Sequence, residues 1–169
     1  MSEAHSVGII GCGKCLPRTC VTNAVLGKEC HVSPDWIESR TGIRSRYYAN
    51  LEETASILAA KAAERAIENA NISKSDIGLI ICCSYSTDYL FPSLACKVQQ
   101  MLKVKRCGAF DLSAGSAGFE IGLTVAADRL GADSELKNVV VIASAVQSHF
   151  LDRADPKTAV LFGDAACAA

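Results

Sequence analysis

The sequence contains no apolar run of about 18 residues, the length a membrane-spanning helix needs, and no long run of basic residues. Each absence removes a class of function. The start, MSEAHSVGII, has neither the basic n-region nor the apolar h-region of a secretory signal. A net charge of −1, with 17 Lys and Arg scattered among 18 Asp and Glu, provides no electropositive face for nucleic acid. The expectation is a soluble, cytoplasmic protein with no nucleic-acid partner and no membrane partner. Nine cysteines, an odd number spread through apolar segments, suit a reducing compartment and imply no disulfide framework.

What is present is a chain of 169 residues, half of them hydrophobic, long enough for one compact unit with its own core. It has no internal repeat, low-complexity tract or linker, so residues 1–169 are read as one unit. A short apolar strand is expected at Val7–Ile10, closed by Gly11-Cys12-Gly13 and Leu16-Pro17. Asp35–Arg40 reads as a short helix opened by Ser33-Pro34. Between Thr54 and Asn71 the residues Ile57, Leu58, Ala62, Ala66 and Ile67 recur at helical spacing. Ile77–Cys83 and Val139–Ala145 are continuous apolar runs of strand length, the pattern of strands covered on both faces. Ser93–Leu102 is helical in pattern, Ala109–Leu112 strand-like, and Ser116–Leu130 helical. Alternating strands and helices predict an α/β fold with a mostly parallel sheet and helices on both faces. The segment ending at Ala169 is apolar and carries no polar cap, so something is expected to follow it or pair with it.

Four segments taken in order carry a resemblance: Asp35-Trp36-Ile37 leading into Arg40-Thr41-Gly42-Ile43-Arg44; Phe91-Pro92-Ser93-Leu94-Ala95-Cys96; Ala109 to Phe119; and Phe162-Gly163-Asp164. In order and spacing they resemble ketoacyl-acyl-carrier-protein synthase III, a thiolase-fold condensing enzyme, over the first of its two pseudo-repeated halves. The resemblance implies a thiolase-like fold, first half, and an acyltransferase of fatty-acid or polyketide starter chemistry. It places Ser116, expected in the first turn and at the buried amino end of its helix, where the family has the nucleophilic cysteine that takes an acyl group from a coenzyme A or carrier-protein thioester. A thiol at a helix amino end is readily ionised, whereas a serine hydroxyl there needs an adjacent base. Serine reads either as an engineered replacement or as a natural variant that forms an ester. The family's catalytic His and Asn lie in its second half, and His5, His31 and His149 do not match that pattern.

The resemblance also implies that Trp36 and Arg40 meet the adenine and phosphates of coenzyme A; the other reading of Trp36 is a helix aromatic buried in the core. Lys157 stands beside Pro156, the position where the family has a second arginine. Phe91 corresponds to a loop that reaches the neighbouring subunit's acyl pocket in a homodimer; its other reading is core packing. No permanently bound cofactor is expected, coenzyme A or phosphopantetheine arriving as part of the substrate. The implied partners are acyl-CoA or acyl carrier protein, a second copy of the chain, and the second half of the fold or a partner chain. The alternative function is a non-catalytic thiolase-fold subunit that shapes an active partner's pocket.

Other signals read as structural. Cys12-x-x-Cys15 lacks the convergent ligands of a zinc site, and Gly8-x-x-Gly11-x-Gly13 is followed by Leu16-Pro17 where a dinucleotide loop needs a helix. Cys82, Cys83 and Cys96 read as packing residues, Cys107 and Cys167 as inert, and Asp111 and Asp164 as backbone caps or salt-bridge partners at strand ends. Arg44 and Arg46 face a carrier protein or water, with water favoured for Arg46; His31 reads as a surface loop residue, and His149 as a solvated loop residue with an active-site rim as its other reading.

Overall fold

The computed structural model describes residues 6–169, so the reading of His5 as part of a polar N-terminus lies outside the described residues. In chain order the elements are β1 (Gly13–Cys15), β2 (Thr19–Thr22), α1 (Asn23–Cys30), α2 (Pro34–Thr41), β3 (Ser45–Tyr48) and α3 (Ala55–Ala70). They continue with β4 (Ile77–Cys83), α4 (Leu94–Leu102), β5 (Gly108–Leu112), α5 (Gly118–Ala132), β6 (Asn138–Ala145) and β7 (Ala165–Ala168). The main sheet has the order β1-β7-β6-β4-β5, and β2 pairs with β3 in a separate two-stranded ribbon. β4 runs parallel to both β5 and β6, while β7 is antiparallel to β6 and to β1. The parallel centre is thus joined to an antiparallel margin.

The apolar runs of β4 and β6 are covered from both sides, as their lack of alternation requires. Ile80, Cys82, Val140 and Ile142 pack with α3 and α4 in one core cluster, and Leu79, Ile81, Cys83 and Val141 pack with α5 in another. A third, smaller cluster joins Val21, Leu26, Ile37 and Tyr48 to Ala159 and Val160. Ser33 and Ser93 open their helices through their hydroxyls, which accept from the Trp36 amide at 3.1 Å and the Cys96 amide at 3.2 Å. At the other end of α3, Asn71 takes the left-handed conformation that closes a helix, with φ of 55°.

Three expectations need correction. Val7–Ile10 is not a strand: its residues join no ladder, Val7, Ile9 and Ile10 are exposed, and pairing begins only at Gly13, opposite Ala168. Apolar character favours burial, but a strand also needs a neighbour to bond. Arg46 does not face water. It is only 6% exposed, because its guanidinium donates to Asn23 Oδ1 at 2.8 Å and to the Val160 carbonyl at 3.2 Å, and burial lowers its pKa. Cys96 is exposed on α4 and packs in none of the core clusters.

α5 lies unusually close to the sheet. A Cβ at Gly122 would stand 2.6 Å from Cys83 Sγ and 2.9 Å from Val141 Cγ1, and one at Gly118 would stand 3.3 Å from Cys83 Cβ. Gly122→Ala is therefore expected to cost roughly 1–2 kcal/mol, since overpacking outweighs the better helix propensity of alanine. Thermal denaturation checks this. The double variant with Cys83→Ala should recover part of the loss, and an unchanged or raised melting temperature for Gly122→Ala would contradict the close packing.

Candidate functional site

The parallel strands β4 and β6 end side by side, and β5 leads directly from Leu112 towards Ser116, so the carboxyl ends of three strands converge on one place. Ligands of open α/β sheets bind at such ends. A cavity of about 410 Å³ opens there, lined by Ser116 and Phe119, by Cys83 and Tyr85 at the end of β4, and by Ala143 and Cys167 on β6 and β7. Its walls are mainly apolar. The shape and chemistry suit a hydrocarbon chain with a polar head at Ser116.

Ser116 is placed by a local device. Gly115 takes φ of 56°, a conformation in which a side chain is strained, and Gly115–Ala117 form a single 3-10 turn that runs into α5. Ser116 thus lies one short turn ahead of the α-helix instead of within its first turn, and it is exposed instead of buried. The reason is the cover of α5, which buries only the strip of Gly118, Gly122 and Ala126 against the sheet and leaves Ile121 exposed on its other side. The position keeps the field of the helix amino end, which favours negative charge.

No histidine or carboxylate lines this cavity among the described residues. His149 borders a separate cavity with Tyr89 and Lys97, where its Nε2 lies 3.1 Å from the Ala49 carbonyl oxygen. His31 is an exposed residue closing α1. The cavity's thiols are no ready substitutes for a nucleophile: burial pushes Cys83 up to about 11, and partial desolvation by the atoms around it raises Cys167 although its surface is open to the cavity. Cys167 is exposed into the cavity, so it borders the site as well as occupying the strand, a role visible only once β7 is placed.

Asp164 holds the site's frame together. One of its oxygens accepts from the Gln147 and Ser148 amides at 2.8 and 2.9 Å, and the other from the Ala49 amide at 2.7 Å and the Ser148 hydroxyl at 2.5 Å. Asp111 does the same for α4, accepting from the Leu94 and Ala95 amides at 2.7 Å each. Both act as backbone anchors, as their strand-end positions indicate.

The other candidate residues lie apart from Ser116's cavity lining. Trp36, on α2, is 39% exposed and so is not a core aromatic, and Arg40 is exposed on the same helix. Lys157 is exposed in the turn before Ala159 and Val160, which pack against Ile37 beside Trp36. The fold thus brings α2 and the Lys157 segment to one cluster. Phe91 is 87% exposed, which removes the core-packing reading, and Tyr89 and Leu90 beside it are exposed too. Arg44 is on the surface, paired with Glu38 at 2.8 Å.

Comparison with known proteins gives a consistent result. The family described as 3-Oxoacyl-[acyl-carrier-protein (ACP)] synthase III matches residues 110–169, the stretch holding β5, Ser116 and Asp164. The beta-ketoacyl-[acyl-carrier-protein] synthase III of Serratia proteamaculans is 46% identical over 158 residues, which are 94% of this chain and 50% of that protein. The crystal structure of the 3-oxoacyl-[acyl-carrier-protein] synthase III of Aquifex aeolicus is 41% identical, with a TM-score of 0.92 over 96% of this chain and 52% of that one. The priming beta-ketosynthase of the R1128 polyketide biosynthetic pathway is 34% identical, with a TM-score of 0.91 over 95% of this chain and 48% of that one. The chain belongs to the ketoacyl-acyl-carrier-protein synthase III family, with its thiolase-like fold, and spans about half the length of the curated relatives it matches.

Proposed function

We propose that this chain is the acyl-receiving half of a ketoacyl synthase III-like acyltransferase, in which Ser116 receives or directly contacts an acyl group delivered as a thioester. The observation that carries this reading is the apolar cavity at the strand ends with Ser116 at its edge. Relatives named as carrier-protein synthases and as a priming ketosynthase favour fatty-acid or polyketide starter biosynthesis. Residues 1–169 then form one thiolase-like half, completed by a second half or a partner chain that supplies the histidine the cavity lacks. The working place is cytoplasmic, in keeping with a chain in which no described helix is long and apolar enough to cross a membrane.

The thioester donor is coenzyme A or the phosphopantetheine arm of a carrier protein, with no permanently bound cofactor. Trp36 offers an exposed ring for the adenine, and Arg40 and Lys157 offer charge for phosphate. Phe91, exposed with Tyr89 and Leu90, suits insertion into a second copy in a homodimer. A serine ester is a poorer electrophile than a thioester, so natural serine favours transfer to an oxygen, nitrogen or thiol acceptor, or a slow condensation.

One observation favours a second reading, the non-catalytic subunit: the cavity holds a hydroxyl with no histidine or carboxylate among its described lining residues. Incubation with an acyl-CoA, with the second half of a family member supplied, separates the two. The expected result is an added acyl mass on the peptide containing Ser116, absent in Ser116→Ala. No labelling under those conditions would leave the scaffold reading standing and remove the enzymatic one.

A further inference from the structure

The cavity at Ser116 has a floor defined by the ladder registers. Across the main sheet Cys83 of β4 stands opposite Ala143 of β6, Ala143 opposite Cys167 of β7, and Cys167 opposite Lys14 of β1. Side chains of paired residues project from the same face, so these four form one row running across the sheet. All four line the cavity. Ala145 and Ala165, two residues further along the same strands, pair with each other and line it too. Alanine and cysteine side chains are short, so the floor leaves a trough above it. α5 packs over β4 and β6 and bounds the trough on one side through Phe119.

The two ends of the trough differ in chemistry. At the β4 end stands Ser116: a Cβ at Gly118, two residues on, would lie 3.3 Å from Cys83 Cβ, so the turn carrying the hydroxyl sits above the Cys83 end of the row. At the β1 end stands Lys14, the one charged side chain among the described residues that line the cavity. Its direction is set by its strand. Cys15 packs into the α3 cluster, so Lys14 faces the other way, and Arg65 fixes its backbone by donating to the Lys14 carbonyl at 2.5 Å. The ammonium forms no ion pair among the described residues. Three strand spacings of about 4.8 Å put the Lys14 backbone roughly 14 Å from that of Cys83.

We infer that this trough takes an acyl chain with an anionic far end, an ω-carboxyacyl thioester of medium length, its carbonyl at Ser116 and its carboxylate at Lys14. The inference rests on the reading of Ser116 as the acyl-receiving residue and adds the class of acyl group. The length follows from the span. Lysine's four-carbon stem reaches back roughly 6 Å, and an extended hydrocarbon advances about 1.25 Å per bond, so the remaining ~8 Å holds about six to eight carbons. In the transfer the acyl carbon bonds to the position-116 oxygen as its bond to sulfur breaks, and the hydroxyl proton ends on the coenzyme A thiol. The far carboxylate is unchanged. A trough lined by hydrocarbon alone would disfavour such a chain, because taking an unpaired carboxylate out of water is costly. The Lys14 ammonium reverses that preference with a charge-assisted hydrogen bond.

The test uses the Ser116→Cys protein and two coenzyme A thioesters of equal chain length, octanoyl-CoA and the mono-thioester of octanedioic acid. The rate at which each adds its mass to the peptide containing position 116 is measured, and the two rates are compared as a ratio. The expected result is about fivefold faster transfer of the ω-carboxyl chain at low salt, the scale of one partly exposed ion pair. The ratio should fall towards one in about 0.5 M sodium chloride and in the Lys14→Met variant, and persist in Lys14→Arg. The salt series needs no substitution at Lys14, so it decides the matter even where a variant folds poorly. A ratio at or below one, or one that neither salt nor Lys14→Met reduces, overturns the inference. Labelling by octanoyl-CoA alone overturns it while leaving position 116 as the acyl-receiving residue; labelling there by neither thioester removes both.

Discussion

Replacing Asp164 with alanine is expected to lower stability by ~4 kcal/mol, a fall of roughly 10 °C in melting temperature for a chain of this size. The carboxylate accepts four hydrogen bonds, from the amides of Ala49, Gln147 and Ser148 and from the Ser148 hydroxyl, and it is buried. Its own amide donates to the Tyr47 carbonyl at 2.8 Å. It therefore ties the end of β3 and the loop after β6 to the start of β7. Alanine leaves three amides facing a void, each unsatisfied donor costing about 1–3 kcal/mol less whatever water can recover. Asp164→Asn retains one acceptor oxygen and is expected to lose about half as much. Thermal unfolding of the three proteins checks the order, and a melting temperature for Asp164→Ala within about 2 °C of the parent would contradict the anchoring role.

Ser116→Cys is expected to speed acyl transfer from acyl-CoA to position 116 by on the order of 100-fold, even where the acceptor step is blocked. The physical basis is the difference between the two groups in the same field. A thiol at a helix amino end has its pKa lowered, so a useful fraction is thiolate at neutral pH, whereas a hydroxyl stays protonated and the cavity offers it no histidine or carboxylate. The native thiols provide an internal comparison, since desolvation raises Cys83 and Cys167 and leaves them protonated. Alkylation of the variant, followed by peptide mass against pH, should give a midpoint about one unit or more below the ~8.5 of a free thiol. A midpoint at or above that value would remove the helix field from the explanation.

The sequence foretold those features that depend on neighbours in the chain. The continuous apolar runs located β4 within its observed limits and β6 to within a residue; Ser33 marked a helix start because capping involves residues three positions apart, and helical spacing placed the start of α4 at Ser93. Asp111 and Asp164 could be assigned as anchors because a strand end followed by a loop leaves amides to be satisfied. What escaped depends on distant partners. Arg46 is buried because the Val160 carbonyl, 114 residues away in sequence, accepts from it. Val7–Ile10 has the composition of a strand but no partner in place, and composition does not report pairing. The exposure of Ser116 follows from the uncovered side of α5, a helix whose apolar residues Phe119, Ile121, Leu123 and Val125 do not show in sequence which of them lack cover. Cys167 entered the site only through the register of β7 with β6.

The most direct measurement is a crystal structure of the Ser116→Cys protein after reaction with a medium-chain acyl-CoA. The acyl carbonyl should be bonded at position 116, and the chain should lie in the cavity between Phe119, Cys83, Ala143 and Cys167, filling the space at the ends of β4 and β6. An acyl group attached elsewhere, or one bonded at position 116 but lying on the outer face of α5 with that cavity still open, would contradict the assignment of this site as the acyl-receiving centre.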